Sequence, residues 1–181
     1  MVVVWSYGGH ALLSYAHHYG TSNLGAIDFT GTLAGLRQTE RIPGPETDNL
    51  LAGSRLHGSR DLEQNIDGYQ PMADGLTDQP MPVELDRLAL LTGLMHPSYV
   101  RRAMRTLPTQ NADLAARLDL PILLSTGRHD REWPISACSQ VSEMLPQASL
   151  TIYEEISHFP SAAASARFKA ELAQLVLSRL H

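Results

Sequence analysis

The chain has 181 residues, with 14 Lys and Arg against 19 Asp and Glu, and the net charge of −5 without a basic block argues against a nucleic-acid partner. Apolar residues make up 43% and charged residues 18%, the balance of a soluble globular domain long enough to bury a core. No run approaches the roughly 18 apolar residues that cross a bilayer, and Cys138, the single cysteine, cannot form an intramolecular disulfide, so the expectation is a cytoplasmic protein.

Val2 to Trp5 is an apolar, β-branched run, read as a strand buried on both faces. From Gly8 the apolar positions become Ala11, Leu12, Tyr15, Ala16 and Tyr19, one face of a helix that Gly20 stops. Leu24 to Thr30 reads as a second strand, ended by Gly31. Between Thr32 and Leu118 glycines and prolines recur and punctuate short helices, the better ones being Val83 to Met95, Tyr99 to Leu107 and Ala112 to Leu118. Alternation then resumes with a strand over Pro121 to Thr126. A helix follows with Pro134 in its first turn and runs through Met144. Leu150 to Tyr153 is a further strand, and the last helix, about Ala162 to Leu180, places Phe168, Leu172, Leu175 and Val176 on one face. This pattern predicts an α/β fold with a parallel sheet of about four strands, flanking helices and a helical insertion. The core is expected in 1–31 and 119–181 and the cap in 32–118.

Three strand ends carry the chemistry. Ser6 follows the first strand in Val-Val-Val-Trp-Ser-Tyr-Gly-Gly, Asp130 follows the third, and His158 follows the fourth. In an open parallel sheet the carboxyl ends of the strands share one edge, so topology brings distant positions together. A serine hydroxyl is a weak nucleophile that needs a base, itself oriented by a third group. Ser6 is expected to attack, His158 to take its proton and Asp130 to fix the imidazole, in the chain order Ser, Asp, His. The Tyr7 backbone N–H, at a helix N-terminus, is the expected oxyanion donor.

The runs WSYGGHALLSYAHHYG, LPILLSTGRHDREWP and SHFP followed by ARFKAEL resemble α/β-hydrolase-fold proteins, and within them the cofactor-free haloperoxidase and esterase-like branch. The resemblance covers roughly residues 2–31 and 97–180. It implies a serine hydrolase of small ester, lactone or related carbonyl substrates, with Ser6, Asp130 and His158 as triad and neither metal nor other cofactor. Against the family pattern, Val4 replaces the small residue two before the serine, and Ser161 with alanines replaces an acidic residue after the histidine. The strands and oxyanion loop that precede the family's nucleophile have no counterpart before Ser6. An exposed sheet edge follows, open to a partner or to a second copy. The second expectation is therefore a truncated module, impaired in turnover and dependent on a partner.

The remaining candidates have plainer readings. Asp28 reads as a turn carboxylate rather than an alternative acid, and His10, His17 and His18 as a solvated helix face without metal-ligand spacing. Cys138 falls in a helical core stripe, and Arg101, Arg102 and Arg105 form a solvated face. Met72, Met81, Met95 and Met104 fit either core filling or an adaptable substrate wall.

Overall fold

The computed structural model describes residues 1–32, 44–77, 82–106, 111–115, 117–145 and 147–177. In chain order the elements are β1 (Val2–Trp5), α1 (Gly8–Tyr19), β2 (Ile27–Thr30), α2 (Pro45–His57), α3 (Leu62–Leu76), α4 (Val83–Met95), α5 (Ser98–Thr106), α6 (Ala112–Ala115), β3 (Ile122–Gly127), α7 (Ile135–Met144), β4 (Ala148–Tyr153), α8 (Pro160–Ala163) and α9 (Ser165–Leu177). They fall into two compact units, one made of Met1–Glu40 with Thr109–His181 and the other of Arg41–Pro108.

The first unit is an α/β structure. Its four strands run parallel in the order β1-β2-β3-β4, with Val2 opposite Ile27, Ile27 opposite Ile122 and Ile122 opposite Ala148. Alternation along the strands makes two different faces. Val2, Val4, Ile27, Phe29, Ile122, Leu124, Ala148 and Leu150 meet Leu12 and Leu13 of α1 and Ala137, Cys138 and Val141 of α7. Each fully buried Leu, Ile or Phe contributes about 1.5–3 kcal/mol by leaving water, so this face holds the sheet to its helices. The opposite face carries Asp28, Thr30, Leu123, Ser125 and Tyr153, and Tyr153 meets Phe168 of α9 with ring centroids 6.4 Å apart.

Several boundaries differ from the expectations. β2 begins at Ile27 because Leu24 still belongs to a turn, its N–H donating to Thr21 O at 2.8 Å. Pro134 stands outside α7 in an extended conformation (ψ 148°), where it caps the helix instead of occupying its first turn. The last helix is broken at Ala164 into α8 and α9. Ala115 and Leu118, read as part of the insertion, pack into the sheet core.

The second unit is helical. α2 and α3 fill a stretch whose glycines read as punctuation, and the reason lies in those glycines. A Cβ at Gly53 would stand 2.4 Å from Met72 N and one at Gly68 2.3 Å from His57 N, so the two backbones cross almost in contact. Buried His57 reinforces the crossing. Its Nδ1 lies 2.9 Å from Asn65 O, and Asn65 Nδ2 donates to His57 O at 2.8 Å. Tyr69 Oη donates to the Asp86 carbonyl at 3.0 Å, tying α3 to α4. Arg101, expected on a solvated face, is half-buried and donates to the Gly93 carbonyl, whereas Arg102 is exposed. Met95 is exposed, and Met81 lies outside the described residues.

Candidate active site

β1 ends in a sharp reversal. Ser6 has φ 51°, the one described non-glycine residue with a positive φ, and Tyr7 caps α1 immediately after it. A non-glycine residue in this region costs roughly 1–3 kcal/mol and persists only where its surroundings enforce it. Here the enforcement is visible. The Ser6 N–H donates to Thr30 O at 3.1 Å, and Gly9 N–H donates to Ser6 O at 3.3 Å. Val4, which stands where the family pattern has a small residue, is accommodated beside this turn, since even a Cβ at Gly8 would lie 3.5 Å from Val4 Cβ, an ordinary contact. Tyr7 is the N-cap residue of α1, and its N–H stands at the helix N-terminus, where backbone donors have no intrahelical carbonyl.

Asp130 and His158 meet. His158 Nδ1 lies 2.9 Å from Asp130 Oδ2, with both side chains essentially fully buried. Asp130 Oδ1 accepts from Glu132 N at 2.9 Å and Trp133 N at 3.1 Å, so the loop after β3 wraps its own carboxylate. A carboxylate only accepts, so Nδ1 is the protonated nitrogen and Nε2 keeps its lone pair. Burial by itself would lower the imidazole pKa, but the charge and hydrogen bond of Asp130, joined by Glu132, more than offset it, and the net shift is upward.

The two loops that carry this pair are locked together. Arg128 N–H donates to Tyr153 O at 2.9 Å and His129 N–H to Ile156 O at 3.0 Å. Ser157 Oγ closes the set by donating to His129 O at 3.0 Å. Gly127 makes this approach possible, because a Cβ there would stand 2.0 Å from Ser157 O and 2.1 Å from Ile156 O.

Ser6 reaches His158 through its neighbours. Trp5 Nε1 donates to His158 O at 3.0 Å, and the Trp5 ring lies 5.2 Å from the imidazole and 4.8 Å from Phe159. Gly31, the residue after β2, has φ 52° and backs onto the imidazole, its would-be Cβ 3.2 Å from His158 Nδ1. Among the described residues no hydrogen bond joins the Ser6 hydroxyl to the imidazole. Such bonds are often long before a substrate arrives. Of the three expected side chains the structure joins Asp130 and His158 directly, with Ser6 at the same sheet edge, and the sequence reading did not include the contacts that Trp5, Gly31, Gly127 and Ser157 make around them. Their only sequence signal is adjacency to a strand end or to His158.

The other candidates fall away. Cys138 is buried in the apolar core, and burial pushes its thiol up to about 12, far from a reactive thiolate. His17 and His18 are exposed, and half-buried His10 lies 3.2 Å from Asn111 Nδ2. Among the described residues no group of three His, Cys, Asp or Glu is placed to hold a metal ion. Asp28 is not a turn carboxylate, since it lies within β2 and is fully buried. No described helix is long and apolar enough to cross a membrane.

No protein-family model matches this sequence, and no curated protein matches it. Solved structures do match by shape. A Burkholderia cenocepacia protein named as a candidate aryl esterase superposes with TM-score 0.84 at 20% identity, over 98% of this chain and 64% of its own. The esterase RhEst1 from Rhodococcus follows with TM-score 0.79 at 22% identity, over 97% of this chain and 64% of its own. A bromoperoxidase from Bacillus anthracis gives 0.77 at 16% identity, over 96% and 66%. The chain therefore spans less than two thirds of the length of these neighbours. Four parallel strands in sequential order, flanking helices and these superpositions establish that the chain has a partial α/β-hydrolase fold.

Proposed function

We propose that the chain is a serine hydrolase acting on a small ester, lactone or related carbonyl compound, without a cofactor. The observation that carries this reading is the buried Asp130–His158 pair, bonded at 2.9 Å, at the same sheet edge as a serine held at positive φ. Ser6 Oγ attacks the substrate carbonyl carbon while His158 Nε2 takes the hydroxyl proton, and Asp130 stabilises the imidazolium. The carbonyl oxygen becomes an oxyanion that Tyr7 N–H stabilises. His158 then returns the proton to the departing alcohol, leaving an acyl ester on Ser6. Water, deprotonated by the same nitrogen, cleaves that ester and restores the enzyme. The names of the structural neighbours support hydrolysis, and a cytoplasmic setting fits the single cysteine.

The test is covalent labelling by a fluorophosphonate probe, together with hydrolysis of a p-nitrophenyl ester series of increasing acyl length. Wild type should be labelled and Ser6→Ala should not. A folded wild-type sample that resists the probe and turns over no ester would overturn the reading. A second reading is a module without turnover that requires a partner. It is favoured by β1 standing at the sheet edge with Val3 and Trp5 each 41% exposed, and it predicts that silent result.

A further inference from the structure

Directly beneath the strand ends that carry Ser6 and Gly31 lies a carboxylate that the proposed chemistry leaves unused. Asp28 is fully buried in the middle of the sheet. Its Oδ1 accepts from Ser125 Oγ at 2.6 Å, and its Oδ2 accepts from the Thr30 hydroxyl. Thr30 and Ser125 are register partners on β2 and β3, so one carboxylate joins the two central strands through their side chains.

The backbone of the same two residues reaches the site. The Thr30 carbonyl accepts the Ser6 N–H at 3.1 Å, and the Ser125 carbonyl accepts the Gly31 N–H at 2.8 Å. Gly31 in turn packs on His158, where a Cβ would come within 3.0 Å of the carbonyl oxygen and 3.3 Å of Cε1. Asp28 therefore stands behind both the nucleophile and the base. Burying a charged group is unfavourable unless hydrogen bonds compensate it. A leucine or valine would fill this sheet position without that cost.

We propose that ionised Asp28 is a positioning residue: by accepting from Thr30 and Ser125 at once it fixes the backbone that aligns Ser6 with His158, and its protonation loosens that alignment. The inference rests on the reading of Ser6 as nucleophile. Protonation removes the charge that strengthens both bonds and turns one acceptor oxygen into a donor. One hydroxyl must then accept instead of donate and find another acceptor for its own proton among buried groups, so the tie between the strands weakens. Burial pushes Asp28 up to about 6, with the Ser125 and Thr30 hydrogen bonds opposing and Glu171 adding to the rise. Glu171 of α9 accepts from Tyr153 of β4 and from Arg167 at 2.9 Å, and the Arg167 guanidinium lies 4.6 Å over the Tyr153 ring. β1 contributes no titratable side chain, and beyond the strand ends stands the Asp130–His158 pair.

The experiment is the rate of fluorophosphonate labelling between about pH 5 and pH 8 for wild type, Asp28→Asn and Ser125→Ala. In wild type the logarithm of the rate falls with unit slope as His158 takes its proton, then more steeply below about pH 6 as Asp28 follows. Asp28→Asn resembles the protonated state permanently. It is expected to label about 10- to 100-fold more slowly at neutral pH and to keep unit slope throughout. Ser125→Ala removes a bond that lowers the Asp28 value, so its steep section moves to higher pH. A folded Asp28→Asn with the wild-type rate and the wild-type steep limb would overturn the proposal. If that variant does not fold, a Ser125→Ala profile that superposes on wild type overturns it instead. Absence of wild-type labelling at every pH defeats the Ser6 reading alone. The Asp28 inference is then decided by amide exchange in peptides containing Ser6 and Gly31. Protection, corrected for intrinsic rates, should fall below about pH 6, and constant protection would refute it.

Discussion

The Trp5 indole N–H donates to the His158 carbonyl at 3.0 Å, so the residue before the proposed nucleophile holds the backbone of the proposed base across 153 positions of sequence. The bond is half-buried and neutral, worth about 1 kcal/mol net. Trp5→Phe keeps a ring against Phe159 but removes the donor. We expect a loss of about 1 kcal/mol in stability and a drop in kcat of about tenfold with little change in KM, since the loss is one of alignment. Equal kcat values for the two proteins would show that the indole donor plays no part in alignment.

The Asp130–His158 pair sets a pH dependence with a definite sign. The folded imidazole holds its proton above the ordinary histidine value of 6.5, so the pair contributes stability that is fully present below the unfolded value. That contribution disappears as pH rises through the folded value. Asp130→Asn removes it. The gap between the urea midpoints of wild type and Asp130→Asn should therefore be widest below the unfolded value and narrow as pH rises above it. Turnover of Asp130→Asn should fall by roughly 10⁴, the scale seen when a triad imidazole is left in the wrong tautomer. A constant gap in the midpoints would contradict the shift.

Ser6 at φ 51° holds strain that a glycine would release. Ser6→Gly should raise stability by about 1 kcal/mol, or roughly 2–4 °C in the melting temperature, while removing the nucleophile and all labelling. A melting temperature below that of wild type would show that the Ser6 side chain stabilises the fold more than its backbone strains it.

How much of this was legible depended on whether a residue acts through its type or through its surroundings. β1 and β3 announced themselves as continuous apolar runs, but only β3 is buried along its whole length; β1, expected to be buried on both faces, is an edge strand that exposes Val3 and Trp5. The candidates Ser6, Asp130 and His158 could be named because each is a chemistry-bearing side chain shortly after a strand. β2 was blurred at its start, since Leu24 to Ala26 looks apolar whether or not it is paired. Asp28 was misread because a carboxylate near Gly31 resembles a turn, and nothing local reveals that Ser125, 97 positions later, donates to it. α2 and α3 were missed for the opposite reason. Gly53 and Gly68 lower helix propensity locally, and only the crossing of the two helices explains them.

Gly127 illustrates the same contrast within the site. Its φ does not require glycine, yet a methyl group there would penetrate the Ile156 and Ser157 carbonyls at 2.1 and 2.0 Å. Gly127→Ala must push the 154–158 loop away, breaking the His129–Ile156 and Ser157–His129 bonds that hold His158 beside Asp130. We expect a cost of about 2–4 kcal/mol and labelling reduced by at least roughly 10², measured by urea unfolding and probe kinetics. Near-normal labelling would mean that the loop can shift without carrying His158 along.

The helical unit offers a separate test by coupling. Gly53 and Gly68 each face the other helix's backbone, a Cβ at Gly53 lying 2.8 Å from Gly68 O and one at Gly68 lying 2.6 Å from Gly53 O. Either alanine forces α2 and α3 apart and should cost about 1–3 kcal/mol through overpacking. Once the helices have separated, the second methyl meets a gap already opened, so the double variant should cost less than the sum of the singles by about 1 kcal/mol or more. Strict additivity in the double-mutant cycle would mean that the two methyls are absorbed at independent places, and that the close crossing at Gly53 and Gly68 does not exist in solution.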